Sequence, residues 1–291
     1  MKLDGRRESS NVEDRRGMST GAKVGVGGIG GIIIAAIITL LMGGNLGDVL
    51  QTAGQMGLQQ GGQTATEQRE FTEEEQQLAT FSKQILASTE DVWSKVFREQ
   101  GLGEYKNPTL VLYTDNTQTS CGQGSAAMGP FYCSGDQKLY IDLSFFATMK
   151  QQLGAEGDFA YAYVIAHEVG HHVEYLTGQL QQAHQQMSRM NEKDANRVSV
   201  RLELLADFYA GVWAHYEKKM FGSLDAGDLQ EAIRCASVIG DDYLQKRAQG
   251  YDVPESFTHG TSQQRMKWLK LGFDTGDMRQ GTTFQQSDAT L

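Results

Sequence analysis

The chain has 291 residues, with 26 basic and 36 acidic side chains and a formal net charge of −10. This length is sufficient for one globular domain of about 200 residues and for further segments outside that domain. The acidic balance excludes recognition of nucleic acid by a basic surface, so we expect no nucleic-acid partner.

An uncharged and largely apolar segment at residues 24–44 is the first feature in chain order. About 20 such residues are enough to cross a bilayer, so the segment is predicted to be a transmembrane anchor that contacts lipid. A cleaved signal peptide is the alternative, but its apolar region is usually only about 7–15 residues long and precedes a small-residue cleavage site. Residues 45–54 offer no convincing site of that kind.

The charges on either side of this segment predict its orientation. Six basic residues lie within residues 1–23, whereas no Lys or Arg follows the segment until Arg69. By the positive-inside rule, residues 1–23 are expected to form a cytoplasmic tail, and the rest of the chain is expected outside the cytoplasm. In a Gram-negative cell, this describes a single-pass inner-membrane protein with a periplasmic domain.

Glycines within the anchor suggest two kinds of site. Residues 25–30 match the GxGxxG pattern of nucleotide-binding loops, but the preceding strand and the following amphipathic helix that such a loop needs are missing. We therefore reject a nucleotide site. Gly27 and Gly31 form a pair of small residues four positions apart, which could pack two anchors together in a homodimer.

A change in composition marks the start of the globular domain. Residues 45–71 are rich in Gln, Gly and Thr and are predicted to be a flexible linker, so that the domain covers residues 72–291. Thr72 and Glu75 match a capping box at the start of a helix that extends to about residue 100, with a break near residues 88–89.

The patterns within the domain predict an α+β fold that is predominantly helical. A strand is expected at residues 109–114, and a hairpin is expected from residues 131–133 and 138–142. The remaining chain shows helical periodicity at residues 145–153, 158–177, 179–217 (with a break), 226–249 and 262–272. The small sheet thus precedes the helix that carries the most informative motif.

That motif is His167-Glu-Val-Gly-His171, within a predicted helix that has Asp158 as its N-cap and Gly178 just after its end. Two histidines four positions apart lie on one helical face, so both imidazoles can bind one Zn²⁺. Glu168 can then act as the general base that activates water, which is the chemistry of a zinc peptidase. The alternative is a buried helix with incidental histidines, whose burial without partners would be costly.

A catalytic zinc site needs a third protein ligand, and Glu203 is the first candidate. Glu203 and Asp207 share one face of a second predicted helix and are surrounded by apolar residues. Asp207 would accept a hydrogen bond from a ligand histidine and thereby fix its tautomer. The alternatives are that both carboxylates are solvated, or that Glu174 is the ligand. Glu174 and Thr177 stand where the metzincin pattern requires Gly and His, which excludes that arrangement.

The two helices, HEVGHH and ELLADFYAG, resemble the gluzincin arrangement HExxH…ExxxD. More closely, the chain resembles the bacterial membrane-anchored family of neutral zinc metallopeptidases. The similarity extends to residues 121–124, 129–133, 138–142, 191–197 and 258–262. This resemblance implies a gluzincin-like domain that binds one Zn²⁺ per chain and acts on a protein or peptide substrate.

The resemblance also implies an edge strand, ahead of the zinc helix, that pairs with the substrate backbone. Residues 125–132 are the region for this role, with Ala126, Ala127, Met128 and Phe131 as candidates. Main-chain pairing tolerates many substrate sequences, which suits a peptidase. The alternative is an ordinary hairpin that binds no substrate.

The three cysteines do not show the CxxC spacing of a zinc site. Cys121 and Cys133 bracket the region of the hairpin and could form a disulfide in an oxidising compartment. They would stay reduced if the predicted orientation in the membrane is wrong. Cys235 lies within a helical pattern and is expected to be a buried free thiol.

Two hypotheses follow about function. In the first, the chain is a zinc metalloendopeptidase in which Glu168 is the general base and a second group stabilises the oxyanion. His259 is the first candidate for that group, ahead of Tyr251 and Tyr209. In the second, the chain is a non-catalytic zinc-containing module that binds cell-envelope proteins. The presence of Glu168 favours the first, because a structural zinc site needs no base.

Overall fold

A computed structural model of the chain describes residues 1–17 and 70–291. Helices dominate these residues and a small sheet accompanies them, which confirms the predicted helical α+β class. None of the helices within residues 1–17 and 70–291 combines the length with the apolar character that a membrane span requires. The predicted anchor at residues 24–44, with Gly27 and Gly31, and the predicted linker up to residue 69 lie outside the described residues.

The first helix, α1 (Glu73–Glu99), begins where the sequence predicts. Thr72 Oγ1 accepts a hydrogen bond from the backbone N–H of Glu75, and the Glu75 carboxylate accepts one from the N–H of Thr72. This capping box satisfies two donors that have no partner within the helix. The predicted break is absent, because the hydroxyl groups of Ser88 and Thr89 are buried with hydrogen-bond partners inside a continuous helix.

The strands form one mixed sheet and one separate hairpin. They are β1 (Val12–Asp14), β2 (Thr109–Tyr113), β3 (Asn116–Thr119), β4 (Gly122–Ser125), β5 (Phe131–Cys133) and β6 (Lys138–Asp142). The sheet has the order β1–β2–β6–β5, with β1, β2 and β6 parallel and β5 antiparallel to β6. The β5–β6 hairpin was predicted from the sequence, whereas β1 and the β3–β4 hairpin were not.

The remaining helices follow the sheet in the chain. They are α2 (Ser144–Thr148), α3 (Asp158–Leu176), α4 (Gln179–Met187), α5 (Glu192–Phe221), α6 (Asp228–Val238), α7 (Asp241–Gln249) and α8 (Ser262–Thr275). Gly157, rather than Asp158, occupies the N-cap of α3, so that prediction is wrong by one residue. Gly178 follows α3 with a left-handed backbone, as predicted, and the expected break in the long stretch separates α4 from α5.

Two glycines allow the central helices to approach closely. Helix α3 passes through the core and packs against α5, and α5 packs against α8. A Cβ on Gly170 would lie 2.8 Å from the backbone oxygen of Ala206, and one on Gly272 would lie 2.0 Å from that of Phe208. Both distances are shorter than a side-chain contact permits, so glycine is required at these helix interfaces.

Residues 1–17 are the described part of the predicted cytoplasmic tail, and their contacts join them to the rest of the described chain. They pack against the domain, and β1 pairs in parallel with β2 at one end of the sheet. Arg6 Nη1 lies 2.9 Å from Glu217 Oε1 on α5, and the hydroxyl of Ser9 donates to Glu90 on α1. Sequence periodicity could not reveal this, because a strand of three residues is too short to show alternation.

The loop before β5 contradicts part of the prediction for a substrate strand. Ala126, Ala127 and Met128 form a 3₁₀ turn (Ala126–Met128) that ends at Gly129, whose φ is 72°. These three residues are therefore not extended and cannot pair with a substrate strand. Phe131 does lie on a strand, β5, which is the end strand of the described sheet.

The cysteines are arranged around the same region. Cys121, between β3 and β4, forms a disulfide with Cys133 on β5, with an S–S distance of 2.02 Å and a Cα–Cα distance of 5.8 Å. The bond ties the β3–β4 hairpin to the end of the main sheet. Cys235 on α6 is a buried free thiol, as its helical pattern predicts.

Candidate metal centre

The candidate metal centre lies where α3 packs against α5. His167 and His171 are one turn apart on α3, and the centroids of their rings are 4.9 Å apart. Glu203 on α5 faces both rings, and its carboxylate oxygens lie 3.2 Å from His167 Nε2 and 3.6 Å from His171 Nε2. One ligand atom from each residue lies within 4.8 Å of the others. Gly170 makes this arrangement possible, because it lets α3 approach α5 at the centre.

The other nitrogen of His167 contacts a buried carboxylate. His167 Nδ1 lies 2.8 Å from Asp207 Oδ1, and Asp207 is completely buried. The same oxygen accepts a hydrogen bond from the hydroxyl of Tyr163 at 2.6 Å. Arg265 on α8 donates to both carboxylate oxygens, from Nε to Oδ2 at 2.8 Å and from Nη2 to Oδ1 at 3.0 Å. Asp207 thus lies within hydrogen-bond distance of His167, for which the sequence predicts a supporting role of this carboxylate.

His171 has an equivalent partner on its own helix. His171 Nδ1 lies 2.9 Å from Glu174 Oε2, and the Glu174 side chain is completely buried. Glu174, considered from sequence as a rival ligand, therefore faces the nitrogen that points away from Glu203. A carboxylate beside Nδ1 favours the tautomer with a proton on that atom, which leaves the lone pair of Nε2 available to an ion.

These carboxylates shift the pKa values of both imidazoles in the same direction. Burial lowers the pKa of His167, but Asp207 and Glu203 outweigh burial and raise it to about 10. For His171, burial is likewise outweighed by Glu174 and Glu203, and the pKa rises to about 9. The surrounding acidic groups thus favour positive charge between the rings, as a cation site requires.

The donor set fits a catalytic zinc ion. Two imidazoles and one carboxylate are a known three-ligand set for catalytic Zn²⁺, which keeps a fourth position for solvent or substrate. His167, His171 and Glu203 can supply these three ligands, and Asp207 and Glu174 orient the two rings. Among the residues described, no other group of His, Cys, Asp and Glu side chains brings its ligand atoms together in this way.

Glu168, the predicted general base, directly follows the first histidine. Its side chain is buried, with 7% of the residue exposed. Burial raises the pKa of its carboxyl group, and the positive charges of His167 and His171 partly offset this effect. A raised pKa brings a carboxylate closer to neutral pH, where general bases are most effective.

His259, the first candidate for oxyanion stabilisation, lies beside Glu203. Burial lowers the pKa of His259, but Glu203 and Asp241 outweigh burial and raise it. Asp241 holds the loop in place, because its Oδ2 accepts hydrogen bonds from the backbone N–H groups of Thr258, His259 and Gly260 at 2.7–3.0 Å. His259 Nδ1 also lies 3.3 Å from Asp241 Oδ1.

The two tyrosine candidates are placed differently. Tyr209 is buried, and its hydroxyl donates to Gln179 at 2.9 Å. Tyr251 is 60% exposed and lies in the segment after α7. Of the three candidates, His259 is the one whose charge interacts with Glu203, a candidate ligand of the centre.

Sequence reasoning missed Arg265, Tyr163, Asp241 and the supporting role of Glu174. Arg265 does leave a signal, because it occupies the buried face of α8 together with Trp268, Leu269 and Gly272. A charged residue in such an apolar stripe requires a buried partner of opposite charge. The identity of that partner, Asp207, is not visible from the sequence, because it lies on a different helix.

Comparison with known proteins agrees with this chemistry. A profile for a family described as "Putative neutral zinc metallopeptidase" matches residues 1–284. The chain is 48% identical over 295 residues to "Uncharacterized protein YpfJ" of Escherichia coli (strain K12), covering 99% of this chain and 100% of that protein. It is 38% identical over 211 residues to "Uncharacterized protein Rv2575" of Mycobacterium tuberculosis (strain ATCC 25618 / H37Rv), covering 69% of each. No solved structure matches significantly, so the gluzincin-like fold stays a prediction.

Proposed function

The chain belongs to this family of neutral zinc metallopeptidases, and we propose on that basis that it is a zinc-dependent endopeptidase. The observation that carries the proposal is the convergence of His167, His171 and Glu203 beside Glu168. A zinc site with only a structural role would need neither a buried carboxylate next to its first ligand nor a free fourth position. The substrate would be a protein or a peptide.

Each residue of the centre has a distinct part in peptide hydrolysis. When bound, zinc supplies a Lewis acid that polarises the scissile carbonyl and lowers the pKa of water toward ~7. Glu168 accepts a proton from the attacking water and passes it to the leaving amine. His259, held by Asp241, donates a hydrogen bond to the oxygen on which negative charge develops.

Substrate positioning is assigned to β5. This strand is the end strand of the described sheet, and it lies next to α3, which carries the two histidines. A substrate backbone added to this edge would extend the sheet through main-chain hydrogen bonds. Of the four candidate residues, Phe131 lies on β5, where its ring stacks on Tyr140 with centroids 4.9 Å apart.

Replacement of Glu168 by Gln tests the proposal. We expect Glu168→Gln to keep the fold and the zinc content of the wild type while casein cleavage falls by roughly 10²–10⁴-fold, because only the proton acceptor is lost. Glu156→Gln, the same change at an exposed position before α3, is the matched control and should cleave like the wild type. Equal cleavage by Glu168→Gln and wild type would exclude the mechanism. Absence of cleavage by the zinc-loaded wild type would favour the non-catalytic module.

A further inference from the structure

We propose that Arg265 is a positioning residue of the metal centre, which acts through Asp207 on the orientation of His167; this inference rests on the proposed zinc site. Arg265 donates two hydrogen bonds to Asp207 in a fork, from Nε at 2.8 Å and from Nη2 at 3.0 Å. The side chain of Arg265 is 5% exposed and that of Asp207 is 0% exposed. A guanidinium fixes the plane of a carboxylate in this geometry, because both of its donors are rigid.

The buried charge of Asp207 depends on this contact. Asp207 Oδ1 faces His167 Nδ1 at 2.8 Å and accepts a hydrogen bond from Tyr163 at 2.6 Å. Tyr163 is neutral, and His167 must be neutral when it serves as a metal ligand, so neither offsets the charge of Asp207 in the metal-bound centre. An ionised carboxylate without a counter-charge in the protein interior is strongly destabilised. Arg265 supplies that counter-charge, and it therefore keeps Asp207 available as the acceptor that orients His167.

The position of Arg265 in α8 links two parts of the centre. Arg265 lies in the first turn of α8, which begins at the capping box of Thr261 and Gln264. The loop that carries His259 directly precedes this turn. The contact between Arg265 and Asp207 on α5 therefore fixes the start of α8, and with it the His259 loop, relative to the helix that carries Glu203.

The test measures zinc affinity, not peptidase activity, so its outcome is independent of whether the chain cleaves casein. Zinc dissociation constants are determined by chelator competition for the wild type, Arg265→Met, Asp207→Ala and the double variant. We expect Arg265→Met to weaken zinc binding by about 10–100-fold, the usual effect of losing an outer partner of a metal ligand. In the Asp207→Ala background, Arg265→Met should change the zinc dissociation constant by less than about threefold. The reason is that Arg265 is proposed to act on His167 through Asp207, which this background lacks.

Arg201→Met is the matched control. Arg201 also ties the C-terminal segment to α5, through the backbone oxygens of Thr283 and Gln286, but it contacts no proposed ligand. Its replacement should leave the zinc constant unchanged. A folded Arg265→Met variant with the wild-type constant, or an equal loss in the Asp207→Ala background, would overturn the proposal.

Two further measurements cover the case in which Arg265→Met does not fold. Arg265→Lys keeps the charge without the fork, and Tyr163→Phe removes one hydrogen bond from Asp207 without changing any charge. In the Co²⁺-substituted protein, we expect Arg265→Lys to shift the visible absorption of the metal and Tyr163→Phe to shift it less. Wild-type spectra for both variants would also overturn the proposal, because the absorption reports ligand geometry and not global stability.

We infer independently, from different contacts, that residues 1–17 and the zinc domain lie on the same side of any membrane that the chain contacts. The end of the first described segment, near residue 17, lies against the start of the second, near residue 70. The guanidinium of Arg16 lies 4.2 Å from the ring centroid of Phe71, and its Nη1 donates to the backbone oxygen of Glu75 at 3.0 Å. Gly17 also packs against Phe71.

The contacts of residues 1–17 are those of an integral part of the domain. Glu217 on α5 is completely buried, and its described ion-pair partner is Arg6. Loss of that partner would leave a buried carboxylate uncompensated, which is strongly destabilising. The α-amino group of Met1 lies 3.3 Å from Asp228 Oδ2, and the match to the family profile begins at residue 1.

A single crossing by residues 24–44 would place residues 1–17 and 70–291 on opposite sides of the bilayer. The pairing of β1 with β2 and the ion pair of Arg6 with Glu217 could not form in that case. The packed arrangement therefore argues against the single-pass orientation expected from the flanking charges.

Cysteine labelling in cells tests this inference. Lys2 and Lys150 have side chains that are 70% and 62% exposed, so Lys2→Cys and Lys150→Cys introduce accessible thiols at the N-terminus and in the domain. A parent chain with Cys121→Ser and Cys133→Ser keeps background labelling low in either compartment, because the remaining Cys235 is buried. With a membrane-impermeant maleimide, we expect the two positions to behave alike in intact cells. Either both are labelled there, or both are labelled only after lysis. Labelling of one position in intact cells and protection of the other would overturn the inference.

Discussion

His171 Nδ1 lies 2.9 Å from the carboxylate of Glu174, which follows it on the same helix. This contact corresponds to the one between His167 and Asp207, except that Asp207 comes from another helix and has Arg265 as a counter-charge. Glu174 has no such cation in the described hydrogen-bond network, and its Oε1 atom has no hydrogen-bond partner there. Burial raises the pKa of Glu174 to about 7, although His171 opposes the shift. The two ligand imidazoles therefore have supports of unequal strength.

Replacement of Glu174 by Gln should weaken zinc binding. The amide can still accept a hydrogen bond from His171 Nδ1, but it lacks the negative charge that makes the imidazole a stronger donor to the metal. We expect the zinc dissociation constant to rise roughly tenfold, measured by chelator competition at pH 8. Glu156→Gln should leave the constant unchanged. A variant that binds zinc like the wild type would show that Glu174 has only a packing role.

His259 should affect catalysis without affecting zinc binding. Removal of one oxyanion donor typically costs about 10²–10³-fold in kcat, so we expect a loss of that size in His259→Ala with a KM close to that of the wild type. Zinc content, measured in the same samples, should stay the same, because His259 is not among the proposed ligands. A loss of zinc together with activity would instead make His259 part of the metal site.

Asp241→Asn tests whether the loop position contributes to the role of His259. The amide oxygen can accept some of the three backbone hydrogen bonds that Asp241 accepts, but the charge beside His259 Nδ1 is lost. Since Asp241 raises the pKa of His259, the imidazole of the variant should lose its proton at lower pH. We therefore expect the alkaline limb of the pH–rate profile to shift to lower pH. An unshifted profile would show that this proton is not used.

The sequence was sufficient to predict which side chains converge at the candidate centre, because these residues follow helical spacing. His167 and His171 are four positions apart, as are Glu203 and Asp207, and such pairs share a face on any helix. The structure brings the two pairs together across the interface of α3 and α5. The spacing alone therefore predicts which imidazoles and carboxylates can face one ion.

The supports of the site could not be predicted because they come from remote parts of the chain. Arg265 follows Asp207 by 58 positions, and only the packing of α8 on α5 brings them together. Likewise, β1 is too short to show a period, and its partner strand comes after α1 in the chain. The charge rule for membrane orientation considers only local sequence, so it could not take account of the packing of residues 1–17 against the domain.

The disulfide should contribute substantially to stability. A bond that closes a loop of 12 residues is expected to stabilise the folded chain by about 3 kcal/mol, through restriction of the unfolded state. We therefore expect Cys121→Ser/Cys133→Ser to lower the free energy of unfolding in urea by that amount. Reductant should lower the wild type to the same value and leave the double variant unaffected. If reductant destabilises both proteins equally, the effect does not come from this bond.

His172 should make the metal-free protein sensitive to acid. It is completely buried, with Nε2 at 2.7 Å from the backbone oxygen of Lys106 and Nδ1 at 2.9 Å from the hydroxyl of Tyr132, an arrangement that suits a neutral ring. Burial lowers its pKa from 6.5 to about 4. Between these two pH values the unfolded chain binds a proton that the folded chain does not, so stability falls as the pH decreases from 6.5 toward 4.

Urea unfolding with a metal chelator present, at several pH values between 7 and 4.5, measures this dependence in the wild type and in His172→Gln. The glutamine can still donate to Lys106 and accept from Tyr132, but it does not titrate. One proton corresponds to about 1.4 kcal/mol per pH unit, so the loss of stability in the wild type should exceed that in the variant by on the order of 2 kcal/mol at the lowest pH. Equal pH dependence in both proteins would mean that His172 is protonated in the folded state, and that its contacts with Lys106 and Tyr132 differ from those described.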